Sequence, residues 1–138
     1  MTRSPAETAL AFIACINAHD VDGLIALMSE DHQFVDSLGH SFHGREGMRT
    51  AWEGYFAWFP DYQITVEDLL ELDNLILITG QTRGTFAVDG KLLPENFWEA
   101  PAAWKAVVKE SQLTHWQVYA DNHPVREIMR KHENMEDD

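Results

Sequence analysis

The amino-acid sequence predicts an α+β domain in which three N-terminal helices pack on one face of a curved antiparallel sheet. The first observation is a change of hydrophobic period. Apolar residues recur at helical spacing up to Phe59, and they alternate with polar residues after Pro60. The second is that short turns separate the later apolar segments, at Asp73-Asn74, Asp89-Gly90 and Glu110-Ser111. A curved sheet closed by helices leaves a cone-shaped cavity, and we expect the functional site to lie in this cavity.

Three helices are predicted before the change of period. Ser4-Pro5-Ala6-Glu7 is a capping box with proline at the first helical position, so the first helix should begin there and run to about His19. Asp20 is typical of the N-cap of a second, short helix over residues 21–28. The third helix, over residues 45–59, is amphipathic and is ended by the proline that follows it.

Two short segments, residues 34–36 and 41–43, flank a glycine turn and are predicted as strands. Pro101 indicates a bulge or an edge position in one later strand, and Pro124 opens a short terminal helix. The long strands are predicted over residues 62–70, 75–88, 97–109 and 112–120.

The composition is that of one folded domain. The chain has 138 residues, 45% of them apolar, and five tryptophans suited to lining a cavity. A net charge of −13 argues against nucleic acid and anionic membranes as partners. No membrane-length apolar run or signal peptide is present, so we expect a cytoplasmic protein. We expect residues 1–132 to form the domain and the acidic residues 133–138 to form a disordered tail. The single cysteine, Cys15, excludes an internal disulfide.

Asp36 is the candidate functional residue among the early strands. It shares strand parity with Phe34, which places its carboxylate on an apolar face near the aromatic third helix. An acid in such surroundings is a functional-site candidate, because desolvation changes its proton affinity. The alternative is an aspartate that only caps the turn before Gly39.

Four stretches carry a resemblance to a known family. They are residues 16–24 (INAHDVDGL), residues 34–44 (FVDSLG and FHG, separated by HS), residues 59–61 (FPD) and residues 116–121 (WQVYAD). These stretches resemble the SnoaL-like branch of the nuclear transport factor 2-like superfamily, with its ketosteroid isomerases, limonene epoxide hydrolases and polyketide cyclases. The resemblance implies a cystatin-like cone, a hydrophobic small-molecule ligand and a homodimer paired through the outer sheet face. It does not imply one activity, because the superfamily also contains non-catalytic domains.

Carried over by position, the resemblance retains one catalytic residue. Asp36 falls where the isomerases have their general base, whereas their oxyanion-hole tyrosine corresponds to Phe12. Their oxyanion-hole acid corresponds to Ala102 or Ala103, so the ketosteroid isomerase reaction itself is not expected. Val118 stands where the hydrolases and cyclases have an acid on the last strand.

The hydrolase pattern is also incomplete. Its Arg-x-Asp pair corresponds to Gln81 and Arg83, and its tyrosine and asparagine correspond to Phe34 and Asp36. Either Gln81 or Arg83 would orient a substrate oxygen beside Asp36, or Asp36 and Arg83 form a structural ion pair. The expected pocket residues around Asp36 are Phe34, Trp52, Phe56, Gln81, Arg83, Trp104, Trp116 and Val118. For each tryptophan the alternative is packing in the core.

The sequence favours no metal or cofactor. His32, Asp36, His40 and His43 could be drawn as ligands, but they straddle a turn without a common face. Phosphate-binding loops and nucleophile elbows are absent from the sequence. Two functions are left open: a cofactor-free isomerase- or cyclase-like enzyme with Asp36 as base on a hydrophobic carbonyl substrate, and a non-catalytic ligand-binding or dimeric interaction domain.

Overall fold

The computed structural model describes residues 3–136, which form four helices and six strands and confirm the α+β class. The elements in chain order are α1 Pro5–Ala18, α2 Val21–Leu27, β1 Met28–Val35, β2 Ser41–His43, α3 Met48–Trp58, β3 Gln63–Leu72, β4 Leu75–Val88, β5 Lys91–Lys109, β6 Gln112–Ala120 and α4 His123–Glu136.

Helix α1 begins and ends at the residues that the sequence indicates. The Ser4 hydroxyl accepts the Glu7 N–H at 3.1 Å, and the Glu7 carboxylate accepts the Ser4 N–H at 3.3 Å. This reciprocal pair satisfies two backbone donors that would otherwise lack partners. The helix stops at His19, whose φ of 55° is left-handed. Two residues earlier, the Asn17 side chain pairs with both backbone groups of Ile64, which fixes the end of α1 against β3.

The six strands form one sheet in the order β2-β1-β6-β5-β4-β3. The pairs β1–β2, β3–β4, β4–β5 and β5–β6 are antiparallel, as predicted. β1 runs parallel to β6, so the sheet is mixed. This pairing brings the turn after β1 beside the last strand, and it therefore positions Asp36.

Three element boundaries differ from the sequence prediction. β1 begins at Met28, directly after α2, and its buried residues do not alternate, so the strand has no clear period in the sequence. β5 begins at Lys91, because the tight turn at Asp89-Gly90 lets pairing with β4 start at once. α3 begins at Met48, and residues 45–47 form a bend and turn before it.

The core lies between the helices and the inner face of the sheet. Along β5 every second residue from Trp98 to Val108 is buried, which is the period of a strand with one covered face. Trp104 and Trp116 are the largest fully buried side chains. Trp116 packs against Phe12 of α1, and Phe12 in turn contacts Trp52 of α3. The opposite face of the sheet carries no helix layer in the described residues.

Helix α4 lies across the open end of the cone. It contacts β4 and β5 and reaches Glu136, so it includes four residues of the predicted tail. The last two tail residues lie outside the described part. Within residues 3–136, no helix is both long enough and apolar enough to cross a membrane.

Candidate functional site

A cavity of about 550 Å³ opens between α3, α4 and the inner face of the sheet. Its volume lies within the range of small-molecule sites in proteins. The wall is mostly apolar, and nine of its 21 residues are aromatic, including rings from β1, β2, α3, β5 and β6. Its lining residues are Ile16, Phe34, Asp36, Ser37, Leu38, Phe42, Met48, Ala51, Trp52, Tyr55, Trp58, Phe59, Tyr62, Ile64, Trp104, Trp116, Val118, Asn122, Val125, Arg126 and Met129.

Asp36 lines this cavity and also caps the turn after β1. One carboxylate oxygen, Oδ1, accepts the backbone N–H groups of Leu38 and His40, both at 2.9 Å. The other oxygen, Oδ2, lies 3.4 Å from Nδ1 of His40, and the side chains of Asp36 and His40 are 30% and 69% exposed. Both sequence interpretations of Asp36 are therefore present in the geometry. The turn holds one oxygen, and the second oxygen lies beside His40 at the edge of the cavity.

Two tyrosines line the cavity together, and neither is among the site residues predicted from the sequence. Tyr55 comes from α3 and Tyr62 directly precedes β3, with ring centroids 5.0 Å apart. Burial raises the pKa of both phenols above their ordinary value, so both hydroxyls keep their protons at neutral pH. Tyr55 follows Trp52 at helical spacing, and that spacing was the available signal.

Trp52 lines the cavity with its ring and not with its N–H group. The ring packs edge-on against Phe12, Phe34 and Tyr55, and the buried Nε1–H has no hydrogen-bond partner in the described residues. The cavity therefore combines one carboxylate, one guanidinium and two tyrosine side chains in a largely apolar wall.

Six of the nine predicted site residues are brought together around this cavity, namely Phe34, Asp36, Trp52, Trp104, Trp116 and Val118. Phe56 is absent from the wall. Its ring is buried and stacks on His19 at 4.2 Å, with the two planes only 6° apart. Phe56 therefore fixes α3 against the end of α1.

The prediction for Gln81 and Arg83 is wrong. Both side chains lie on the outer face of β4, where Gln81 donates to Glu67 at 3.0 Å and Arg83 donates to Thr65 at 3.2 Å. Buried Ile76 and Ile78 have the opposite parity, so strand alternation itself turns residues 81 and 83 away from the core. Neither residue forms an ion pair or a polar trio with Asp36.

Among the described residues, no three His, Cys, Asp or Glu side chains are arranged to hold a metal. His32 is buried, with its Nδ1–H donating to the carbonyl oxygen of Leu113 at 2.8 Å. His40 lies beside Asp36, and His43 is exposed on β2.

Helix α4 completes the mouth of the cavity with three lining residues, Val125, Arg126 and Met129, and Asn122 just before the helix also lines it. The Asn122 amide donates to the Ser37 hydroxyl, which connects the start of α4 to the turn that holds Asp36. Farther along the helix, His132 lies 3.1 Å from the side-chain oxygen of Asn96 on β5. Nothing in the local sequence indicates this docking, because it joins residues that are distant in the chain.

A comparison with curated proteins finds no match. A cystatin-fold protein from Novosphingobium aromaticivorans is 26% identical, with 84% of this chain and 97% of that chain covered and a TM-score of 0.70. IdmH from Streptomyces antibioticus, a candidate polyketide cyclase, is 20% identical over 92% of this chain and 99% of its own, with a TM-score of 0.76.

A candidate SnoaL-like polyketide cyclase from Shewanella denitrificans is 14% identical, covers 92% of this chain and 97% of its own, and has a TM-score of 0.79. At 14% and 20% identity the likeness shows the fold alone. The family model described as the SnoaL-like domain matches residues 9–123, from the first turns of α1 to the start of α4, and the chain therefore belongs to the SnoaL-like domain family.

Proposed function

We propose that the chain is a cofactor-free, isomerase- or cyclase-like enzyme that moves a proton on a hydrophobic carbonyl compound, with Asp36 as general base. The observation that carries this proposal is the pairing of one carboxylate with protonated tyrosine hydroxyls in a single aromatic cavity. Asp36 is the only acid among the described residues that line it. The cyclase descriptions of IdmH and the Shewanella protein support the same class of reaction.

In the proposed reaction, Oδ2 of Asp36 removes a proton from the carbon next to the carbonyl group. The electron pair moves to the carbonyl oxygen, and the Tyr55 or Tyr62 hydroxyl donates to the oxyanion that forms. In an isomerisation, Asp36 then returns the proton to another carbon. In a cyclisation, the enolate carbon attacks a second carbonyl group, and the oxygen of that group takes the proton back from Asp36. The tyrosine hydroxyls would thus replace the donors that the family has at the positions of Phe12 and of Ala102 or Ala103.

A second function, ligand binding without catalysis, is favoured by the hydrogen bonds of Asp36. Two backbone N–H groups on Oδ1 are what a turn-capping aspartate needs. In that case the cavity would hold a hydrophobic ligand, and the carboxylate would serve only the turn.

The substitution Asp36→Asn separates these two functions. The amide oxygen keeps both backbone hydrogen bonds, so the fold should be retained while the base is removed. Ligands are found first by thermal shift with hydrophobic ketones, steroids, aromatic polyketide mimics and epoxides, because a ligand that binds the folded state raises the melting temperature. Exchange of the proton next to the carbonyl group with deuterated solvent is then followed by NMR.

For an enzyme, we expect Asp36→Asn to slow the exchange by about 100-fold or more with little change in affinity. Asp121→Asn is the matched control, because Asp121 accepts the His123 N–H at 2.9 Å outside the cavity and should leave exchange unchanged. If a bound ketone exchanges its proton at the same rate with the wild type and with Asp36→Asn, this result would instead support ligand binding without catalysis.

We also propose that two copies of the chain pair through the outer face of the sheet. Five large apolar side chains are exposed there, Leu70, Leu72, Leu77, Phe97 and Tyr119. An apolar patch of this kind on a soluble domain is typical of a protein interface.

A further inference from the structure

Helix α4 gives the cavity a feature that lies outside the matched SnoaL-like domain. The family match ends at His123, the first residue of α4, whereas Val125, Arg126 and Met129 come from the rest of this helix. Two of these three side chains extend the apolar wall. The third places a positive charge at the mouth.

Among the described residues that line the cavity, Arg126 is the only cation and Asp36 is the only anion. Arg126 is exposed at the mouth and forms no ion pair with any side chain that the structure describes, including Asp36. Arg45, Arg49 and Arg130 each lie within 4.0 Å of a carboxylate, whereas Arg3 and Arg83, like Arg126, do not. Arg126 differs from these two by its place at the edge of an apolar cavity, where a bound ligand would meet its charge.

A planar guanidinium prefers a carboxylate, which it binds through two parallel charge-assisted hydrogen bonds. An apolar ligand body filling the cavity would exclude water from one side of that pair and strengthen it. The net charge of −13 disfavours ligands that carry several negative charges, so a single carboxylate fits better than a phosphate.

On the basis of the proposed ligand-binding function, we propose that Arg126 selects ligands that carry a carboxylate, with their rings inside the aromatic cavity. The substrate class is then a hydrophobic keto acid or aromatic polyketide acid. Its carboxylate pairs with Arg126 at the mouth, and its carbonyl group lies beside the tyrosine hydroxyls. Arg126 is thus a positioning residue, and the chemistry remains with Asp36.

The test uses pairs of probes that differ only in charge: naphthoate with naphthamide, and anthracene carboxylate with its amide. Binding to the full chain is followed by fluorescence of the cavity tryptophans at about neutral pH. We expect the wild type to prefer the acid of each pair. Arg126→Gln should weaken acid binding about tenfold, the effect of losing one charge-assisted hydrogen-bonded pair, and should leave amide binding unchanged. Arg126→Lys should lie between the two, because it keeps the charge and loses the bidentate geometry.

Arg130→Gln is the matched control. Arg130 lies one turn farther along α4 and pairs with Glu127 at 3.0 Å outside the cavity, so the same loss of charge there should change neither probe. Equal acid affinity in Arg126→Gln and wild type, or a wild type that prefers the amides, would overturn the role of Arg126 while leaving the cavity a ligand site. Failure of all four probes to bind the folded wild type would overturn the proposed ligand-binding function as well.

Discussion

His32 lies on β1 with no exposed surface, and its two ring nitrogens have different surroundings. The Nδ1–H donates to the carbonyl oxygen of Leu113, and the buried Nε2 has no partner among the described residues. Burial is the main cause that lowers the pKa of His32, and nearby His115 lowers it further; the Leu113 bond and Asp31 act in the opposite direction. The ring is therefore neutral in the folded protein, and a proton on Nε2 would be a buried charge without a partner.

This lowered pKa predicts a loss of stability in mild acid. As the pH falls below about 6.5, His32 takes up a proton in the unfolded chain before it does so in the folded one. The free energy of unfolding should therefore decrease from about pH 6.5 downward, until the pH reaches the pKa of the folded state. His32→Leu should flatten this decrease, and Leu113 would still accept the Ser29 hydroxyl at 3.2 Å. Urea unfolding between about pH 5 and pH 7.5 measures the slope.

His43→Gln is the control for the His32 prediction, because His43 is exposed on β2. It should retain the slope of the wild type. A His32→Leu protein with the same slope as the wild type would show that His32 is not the group responsible.

At the scale of single residues, part of the cavity could be predicted from the sequence. Strand parity places Phe34 and Asp36 on one face, and helical spacing groups Trp52 with Tyr55, so local periodicity was sufficient for these side chains. No local periodicity places Arg126 at the cavity, since α4 reaches the cavity only through contacts with residues that are distant in the sequence. The prediction for Arg83 is wrong because it rests on the family resemblance, whereas the alternation of β4 places residue 83 on the outer face of the sheet.

The pairing of β3 with β4 depends on a glycine at one position. β3 shifts register between Val66 and Asp68, and this irregularity brings the backbone of Thr65 against Gly80. A Cβ at residue 80 would overlap the carbonyl oxygen of Thr65, which cannot move without breaking the strand pairing. At Gly84, in contrast, the nearest atom to an added Cβ is 3.4 Å away.

Gly80→Ala should therefore destabilise the domain by about 3 kcal/mol through overpacking, whereas Gly84→Ala should change stability by about 1 kcal/mol or less. Both substitutions add one methyl group to the inner face of β4, so intrinsic strand propensity is matched between them. Thermal or urea unfolding of the two variants gives the comparison. Equal destabilisation would contradict the close approach of Thr65 to Gly80.

At the scale of elements, local sequence signals predict the helix caps and the hairpin turns, but they do not predict pairing between segments that are distant in the chain. The parallel contact of β1 with β6 joins the first strand to the last and has no local signature. Pro101 was predicted at a bulge or an edge, and the edge is what the structure has: β6 ends opposite Ala102, so β5 has one neighbour at Pro101.

The two faces of the sheet have different surroundings in the whole molecule. The inner face is covered by helices and forms the cavity, whereas the outer face exposes Leu70 and Leu72 at 70% each. Leu77 lies opposite Leu70 on the neighbouring strand and extends the same patch. Pairing two such faces in the proposed dimer would bury this apolar surface, and it would leave the mouth of each cavity open, because α4 and the mouth lie on the other side of the sheet.

Leu77→Lys should therefore convert a dimer into a monomer, because two-fold symmetry would place two added charges in one apolar interface. Leu10→Lys is the matched control: Leu10 on α1 is exposed to a similar degree, 43% against 44% for Leu77, but it lies in the helix layer. Light scattering coupled to size exclusion should give twice the monomer mass for the wild type and Leu10→Lys, and the monomer mass for Leu77→Lys.

Since each copy carries a net charge of −13, raising the salt concentration should also tighten the dimer. A wild type that stays monomeric at high concentration, or a Leu10→Lys variant that dissociates equally, would exclude pairing through the outer face.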